Sequence, residues 1–147
     1  MRGGLIRPYA LIAFARRWRT RSLWPTAAVK PRIKIISFAD GAFASRSNAF
    51  VAQARAMELY DSITVHNLAS LPASFAEQHG AFMRSNARGF GFWIWKPLIV
   101  LNELLTSAKD DVVVYADVGF TQSPQGRERM LEYIELRKHH GIKCSRF

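Results

Sequence analysis

The segment Val112–Tyr115 constrains the fold more strongly than any other stretch of this chain. Its four residues are apolar or aromatic, three of them are valine, and they are followed by Ala116 and Asp117. A strand that is apolar on both faces is typical of a parallel sheet covered by helices on both sides. We therefore expect a buried strand here that ends at an acidic residue.

The rest of the pattern alternates strands with helices. The predicted strands span residues 33–38, 63–66 and 112–115, and the predicted helices span residues 47–60, 74–84, 97–106 and 127–137. This alternation indicates an α/β fold with a mostly parallel, Rossmann-like sheet and helices on both faces. We expect the third strand to lie parallel to the first and directly beside it, with the second strand on the first strand's other side.

The positive charge of the chain is unevenly distributed. The 147 residues carry a formal net charge of +10, but residues 1–34 contain nine Lys or Arg and no acid, whereas the remainder contains twelve basic and eleven acidic residues. We interpret residues 1–31 as a basic, disordered leader and residues 32–147 as the folded domain. Because nucleic-acid-binding domains usually carry their charge on the fold itself, we expect no nucleic-acid partner.

The sequence predicts no membrane-spanning helix, since no apolar run reaches about 18 residues. The Arg-rich leader is consistent with a targeting segment, with contact to a membrane surface, or with a disordered segment that has no function. We expect a cytoplasmic protein, peripheral to the inner membrane face if the leader binds there. The single cysteine, Cys144, excludes an internal disulfide framework and a zinc site built on paired thiolates.

Two acidic residues come just after predicted strands. Asp40 follows the first strand, and Asp117 follows the third. In open parallel sheets, ligands bind at the carboxyl ends of the strands, next to the point where the strand order reverses. An acid placed there can hold a metal, a ribose hydroxyl or a proton. For Asp40 the simpler interpretation is the cap of a turn or helix, whereas for Asp117 we favour a functional role.

The stretch Arg88–Pro97 is the most unusual in the chain, with the sequence Arg-Gly-Phe-Gly-Phe-Trp-Ile-Trp-Lys-Pro. Its two glycines allow a sharp turn or a close approach of the backbone to a ligand. Arg88 and Lys96 are suited to flanking a diphosphate, the first as a planar fork and the second as a point charge. The alternative is a buried aromatic cluster from which the two cations extend to solvent.

This block, the helix after it and the strand ending in Asp117-Val118-Gly119 resemble a group of bacterial glycosyltransferases. That group looks like a branch of the GT-A nucleotide-sugar transferases. Its members carry a similar Gly-Tyr-Trp-Ile-Trp-Lys-Pro block before a strand that ends in Asp-Ala-Gly. Asp40 after the first strand and Arg46 near the start of the first helix also match the pattern. The resemblance covers residues 33–121.

The resemblance implies that residues 32–147 bind a nucleoside-diphosphate sugar, as part of an enzyme that transfers the sugar to an acceptor. In GT-A enzymes an Asp-x-Asp motif holds a divalent metal on the diphosphate. Asp117 matches its first acid and Gly119 replaces the second, which implies Mn²⁺ or Mg²⁺ held by Asp117 and phosphate oxygens. Together with the two cations chosen above, the candidate ligand-binding residues are Asp40, Arg46, Arg88, Lys96 and Asp117. No catalytic base is assigned.

Two other interpretations stay open. The segment Asp117–Thr121 reads as Asp-x-Gly-x-Thr, the phosphate-binding pattern of the actin-like and sugar-kinase ATPases, in which a second strand directly follows the threonine. The chain is also short for a GT-A enzyme, which indicates either the N-terminal part of one or a non-catalytic fragment. We therefore expect the chain alone to transfer no sugar.

Overall fold

The computed structural model of the protein describes residues 9–14, 30–138 and 143–146. Its strands are β1 (Tyr9–Phe14), β2 (Ile33–Phe38), β3 (Ser62–His66), β4 (Val112–Ala116) and β5 (Lys143–Arg146). Its helices are α1 (Ser47–Ala56), α2 (Ala73–Ser85), the short α3 (Gly89–Phe92), α4 (Lys96–Thr106) and α5 (Arg127–Lys138). Three 3-10 helices span Gly41–Arg46, Leu68–Ser70 and Pro124–Gly126.

The described strands form one sheet in the order β3-β2-β4-β1-β5. Strand β2 pairs in parallel with β3 on one side and with β4 on the other, so that Phe38 lies opposite His66 and Ile36 opposite Tyr115. The predicted arrangement of these three strands is thereby confirmed. Because the strand order reverses at β2, the carboxyl ends of β2 and β4 border a crevice.

Two antiparallel strands that the sequence did not predict extend the sheet beyond β4. Strand β1 pairs with β4, with Ile12 opposite Val114, and β5 pairs with β1. The sheet is therefore mixed, with a parallel centre, where we expected a mostly parallel one. An unpaired edge on a strand as apolar as β4 would attract other chains, and β1 covers that edge. Strand β1 belongs to the expected leader, whose residues 1–8 and 15–29 lie outside the described part of the chain.

Helices cover both faces of the sheet, as the sequence predicts. On one face α1 and α5 pack on the strands through a buried cluster that includes Ile35, Phe50, Ala54, Val114, Met130 and Ile134. On the other face α2 and α4 do so through a cluster that includes Ile36, Met83, Ile99, Val100, Val113 and Tyr115. Every residue of β4 is buried, which confirms the expectation drawn from its apolar sequence.

The helices differ from their predicted bounds mainly at their ends. Helix α1 ends at Ala56 and not near the predicted Tyr60. The reason is Glu58, whose φ of +47° turns the chain out of the helical conformation. Across the described ranges, none of the helices has the length and apolar character that crossing a bilayer requires.

Candidate functional site

A cavity of about 400 Å³ lies at the carboxyl ends of β2 and β4. Asp40 and Asp117, the two acids that follow these strands, both line it, so the acids predicted at the carboxyl ends of two strands border one cavity. Arg88 adds a positive charge to the wall. The cavity is otherwise largely aromatic, with side chains of Phe38, Phe43, Phe90, Trp93 and Trp95.

Asp40 uses both of its carboxylate oxygens to hold nearby backbone. Oδ1 accepts a hydrogen bond from the Gly41 N–H at 2.6 Å, and Oδ2 accepts one from the Leu68 N–H at 2.7 Å. The first bond caps the 3-10 helix Gly41–Arg46, and the second ties the end of β2 to the segment after β3. The capping role considered for Asp40 is therefore present, and this residue shapes the cavity through the backbone that it holds.

Asp117 is engaged with two other side chains at the end of β4. Its Oδ1 accepts hydrogen bonds from the Lys96 ammonium, at 3.1 Å, and from the Tyr115 hydroxyl. Burial above all, and then the adjacent carboxylate, raise the pKa of Tyr115 far above its usual range, so its hydroxyl stays protonated. Lys96 Nζ also lies 4.6 Å from the centre of the Tyr115 ring, within cation–π range. We call these three residues the Asp117 cluster, because together they fix the position of the carboxylate.

A left-handed turn forms one wall of the cavity. Five consecutive residues, Gly89 to Trp93, have φ between +47° and +81°. A Cβ at Gly89 would lie 2.4 Å from the Trp93 ring, and one at Gly91 would lie 2.8 Å from Met83 Cα, so both positions require glycine. The left-handed conformation costs roughly 1–2 kcal/mol for each of the other three residues. Strained backbone of this kind is concentrated at ligand-binding and active sites.

Trp95 is buried beneath this turn and hydrogen-bonds to its backbone. Its side chain is only 4% exposed, and its ring stacks on Phe38 with the centroids 4.0 Å apart. Its indole N–H donates to the carbonyls of Gly89 and Phe90, at 3.2 and 3.1 Å. Trp93 differs, since it is half-buried and faces the cavity. Trp95 is therefore a core residue that also borders the cavity, whereas Trp93 belongs to the cavity wall.

The predicted cations lie at different depths around the cavity. Arg88 is exposed, lines the cavity directly and has its guanidinium carbon 6.0 Å from the centre of the Trp93 ring. Lys96 is paired to Asp117, which lines the cavity. Arg46 lies beside the turn after β4, because a Cβ built on Gly119 would come 3.7 Å from its Nη1. The structure thus brings together, at one edge of the sheet, all five candidates: Asp40, Arg46, Arg88, Lys96 and Asp117.

Two residues of the site were missed by sequence reasoning. The Tyr115 hydroxyl was not assigned a role, although the sequence contained a signal for one. Side chains two positions apart on a strand point to the same face, and Asp117 lies two positions after Tyr115. Phe43 contributes a ring from the 3-10 helix after β2. It lies in a short segment without a helical or strand period, so no pattern marked it.

No protein-family model, curated protein or solved structure matches this chain.

Proposed function

We propose that the cavity binds a nucleoside diphosphate and that the chain is the nucleotide-sugar-binding part of a GT-A-like glycosyltransferase. The observation that carries this proposal is the position of the cavity, at the carboxyl ends of β2 and β4, where the strand order reverses. Open α/β sheets bind their ligands at this point. The volume of about 400 Å³ is also within the usual range for small-molecule sites.

The walls of the cavity suit the two chemically distinct ends of a nucleotide. Aromatic side chains give flat apolar surface, and stacking of a base on such a ring contributes roughly 1–3 kcal/mol. Trp93 is the ring best placed for this, because it is half-buried and borders the cavity. Arg88 lies beside it and presents forked N–H donors, which match the geometry of phosphate oxygens.

In the transfer reaction, the bond between the anomeric carbon of the sugar and the diphosphate oxygen breaks, the oxygen of an acceptor hydroxyl forms the new bond, and the proton of that hydroxyl is released to a base or to solvent. Negative charge then develops on the departing diphosphate. Cations fixed near it stabilise that charge without having to reorganise. The residues around the cavity suit binding of the donor, and we expect this chain alone to bind the nucleotide without transferring the sugar.

The geometry after β4 does not favour the ATPase interpretation. That pattern requires a second strand directly after the threonine. Here the chain turns at Asp117–Phe120, where the Phe120 N–H donates to the Asp117 carbonyl at 2.8 Å. It then enters the 3-10 helix Pro124–Gly126 and helix α5.

Isothermal titration calorimetry of the full chain with UDP and with GDP tests the proposal. We expect at least one of them to bind, and Arg88→Gln to weaken that binding about tenfold, as loss of a charge-assisted hydrogen bond does. The matched control is Arg84→Gln, which removes an exposed guanidinium from α2, outside the cavity wall. A folded chain that binds neither nucleotide contradicts the proposal.

A further inference from the structure

The carboxylates at the cavity are poorly suited to holding a divalent cation. Within the described residues only Asp40 and Asp117 bring a carboxylate to the cavity wall. Both oxygens of Asp40 already accept backbone N–H bonds, at 2.6 and 2.7 Å. Gly119 stands where the second acid of an Asp-x-Asp motif would be. Hard cations such as Mn²⁺ and Mg²⁺ prefer oxygen ligands, and few carboxylate oxygens of the described residues are free at this edge of the sheet.

Asp117 itself is already paired with a cation. The Lys96 ammonium lies 3.1 Å from Oδ1, and the Tyr115 hydroxyl donates to the same oxygen. A divalent ion on this carboxylate would lie within a few ångströms of the ammonium, where repulsion between like charges opposes its binding. In the described part of the chain, no three His, Cys, Asp or Glu side chains are grouped so as to share a metal.

Positively charged side chains lie on the cavity wall and beside it. Arg88 lines the cavity directly, and Arg46 lies beside Gly119, which also lines it. Lys96 neutralises Asp117 and so removes a negative charge that would repel phosphate. The Tyr115 ring holds the ammonium in place at 4.6 Å.

We propose that this site binds the diphosphate without a divalent metal, with Arg88 and Arg46 supplying the positive charge and Lys96 neutralising Asp117. The inference rests on the proposed nucleotide-binding function and specifies how that site balances the charge of its ligand. It replaces the metal that the sequence resemblance implied at Asp117.

The first test compares UDP binding to the full chain by calorimetry in EDTA and in MnCl₂. We expect the same dissociation constant in both buffers. An affinity that rises about tenfold or more with Mn²⁺ would overturn the inference and leave the proposed function standing. The same comparison is made with GDP, and if the folded chain binds neither nucleotide in either buffer, both the inference and the proposed function fail, so the two failures are distinguishable.

The second test is Asp117→Asn, which keeps the size of the side chain and removes its charge. With its partner neutral, Lys96 is free to act on the diphosphate and the cavity wall loses a negative charge, so binding of UDP in EDTA should become stronger. If Asp117 were a metal ligand, the substitution would instead weaken UDP binding in MnCl₂. A rise in affinity with Mn²⁺ that is seen in the wild type and lost in this variant would overturn the inference. Asp110→Asn is the control, because it makes the same change at an exposed position before β4. Circular dichroism establishes that each variant is folded, and the wild-type comparison remains decisive if Asp117→Asn is not.

Discussion

Among the described glycines, Gly91 combines the largest positive φ with the closest approach of an added Cβ to a backbone atom. Its φ is +81°, and an added Cβ would lie 2.7 Å from Met83 Cγ and 2.8 Å from Met83 Cα. Gly91→Ala should therefore lower the free energy of unfolding by at least about 2 kcal/mol, from the unfavourable φ and the overlap together. Urea denaturation measures this change.

The control for this variant is Gly126→Ala. Gly126 has no atom within 4 Å of its built Cβ and an ordinary φ. We expect it to change the free energy of unfolding by less than about 1 kcal/mol. Equal effects of the two substitutions would show that the left-handed turn does not pack against α2 as described.

The two tryptophans of the aromatic block should respond differently to substitution. Trp95 is buried, stacked on Phe38 and bonded to the backbone of the turn. Trp95→Ala should cost about 3–5 kcal/mol of stability, as is typical of large buried aromatics. Trp93→Ala should cost less and should weaken UDP binding, because Trp93 borders the cavity. Denaturation and calorimetry on both variants check this, and equal losses of stability with unchanged binding would contradict it.

Sequence reasoning could not separate these two residues. The order Trp-Ile-Trp places Trp93 and Trp95 at neighbouring, chemically equivalent positions. The left-handed turn gives the two tryptophans their different environments, and the glycine pattern predicts that turn only in part. Gly89 and Gly91 indicate a sharp turn, but three bulky residues also have positive φ there. The hand and length of the turn depend on packing against Met83 and on the Trp95 hydrogen bonds. Those contacts come from the tertiary fold.

Among the elements, β2 and β4 are joined at their amino ends by Asp111. This buried carboxylate accepts hydrogen bonds from the backbone N–H of Arg32 at 2.9 Å and of Ala108 at 3.0 Å, and from the Arg32 guanidinium at 3.1 Å. Burial on its own would raise the pKa of Asp111, but these donors outweigh it and hold the pKa below its usual value.

The pH dependence of stability follows from this direction. Because the folded-state pKa is below the unfolded one, the contribution of Asp111 is present above the unfolded value of about 3.9 and is lost as the pH falls below it. Asp111→Asn should therefore flatten the acid limb of the stability profile below about pH 4. Asp110→Asn, at the exposed neighbour, should leave that limb unchanged. Thermal unfolding across pH measures both, and an unaltered acid limb in Asp111→Asn would contradict the assignment.

The strand β1 provides a second prediction at the level of elements, since it covers the outer edge of β4. Deleting residues 1–14 should lower the thermal midpoint by more than about 5 °C and should promote self-association through the uncovered edge. Deleting only residues 1–8, which precede the strand, is the control. If both truncations melt like the full chain, β1 contributes nothing to stability.

The elements also show what the sequence could predict of the fold. Strands β2, β3 and β4 were predicted almost to the residue, because β-branched apolar runs bounded by polar turns carry a strong local signal. Strands β1 and β5 were not, since the apolar stretch of β1 lies among arginines and β5 carries two basic residues in four. Their pairing depends on the apolar edge that β4 presents, which is a property of the assembled sheet.

The whole molecule places ligand-binding groups at one edge of the sheet and structural ties at the other. The carboxyl ends of β2 and β4 carry the cavity, whereas the amino ends carry the Asp111 hydrogen bonds. Sequence reasoning predicted this polarity, because strand direction alone puts Asp40 and Asp117 at one edge. It did not predict the rings that complete the cavity, which come from segments far apart in the chain.

This polarity predicts where a nucleotide protects the backbone. In hydrogen–deuterium exchange with saturating UDP, peptides covering residues 39–46, 86–96 and 117–120 should exchange more slowly, because they line or adjoin the cavity. Peptides covering residues 57–62 and 107–111 should not change, since they lie at the opposite edge. An apolar groove on α4, where Leu101 is 53% exposed, is the competing location. Slower exchange confined to residues 97–105 would place the ligand on that groove and contradict the proposed site. Slower exchange around both Trp93 and Asp117 would locate the nucleotide at the point where the strand order reverses.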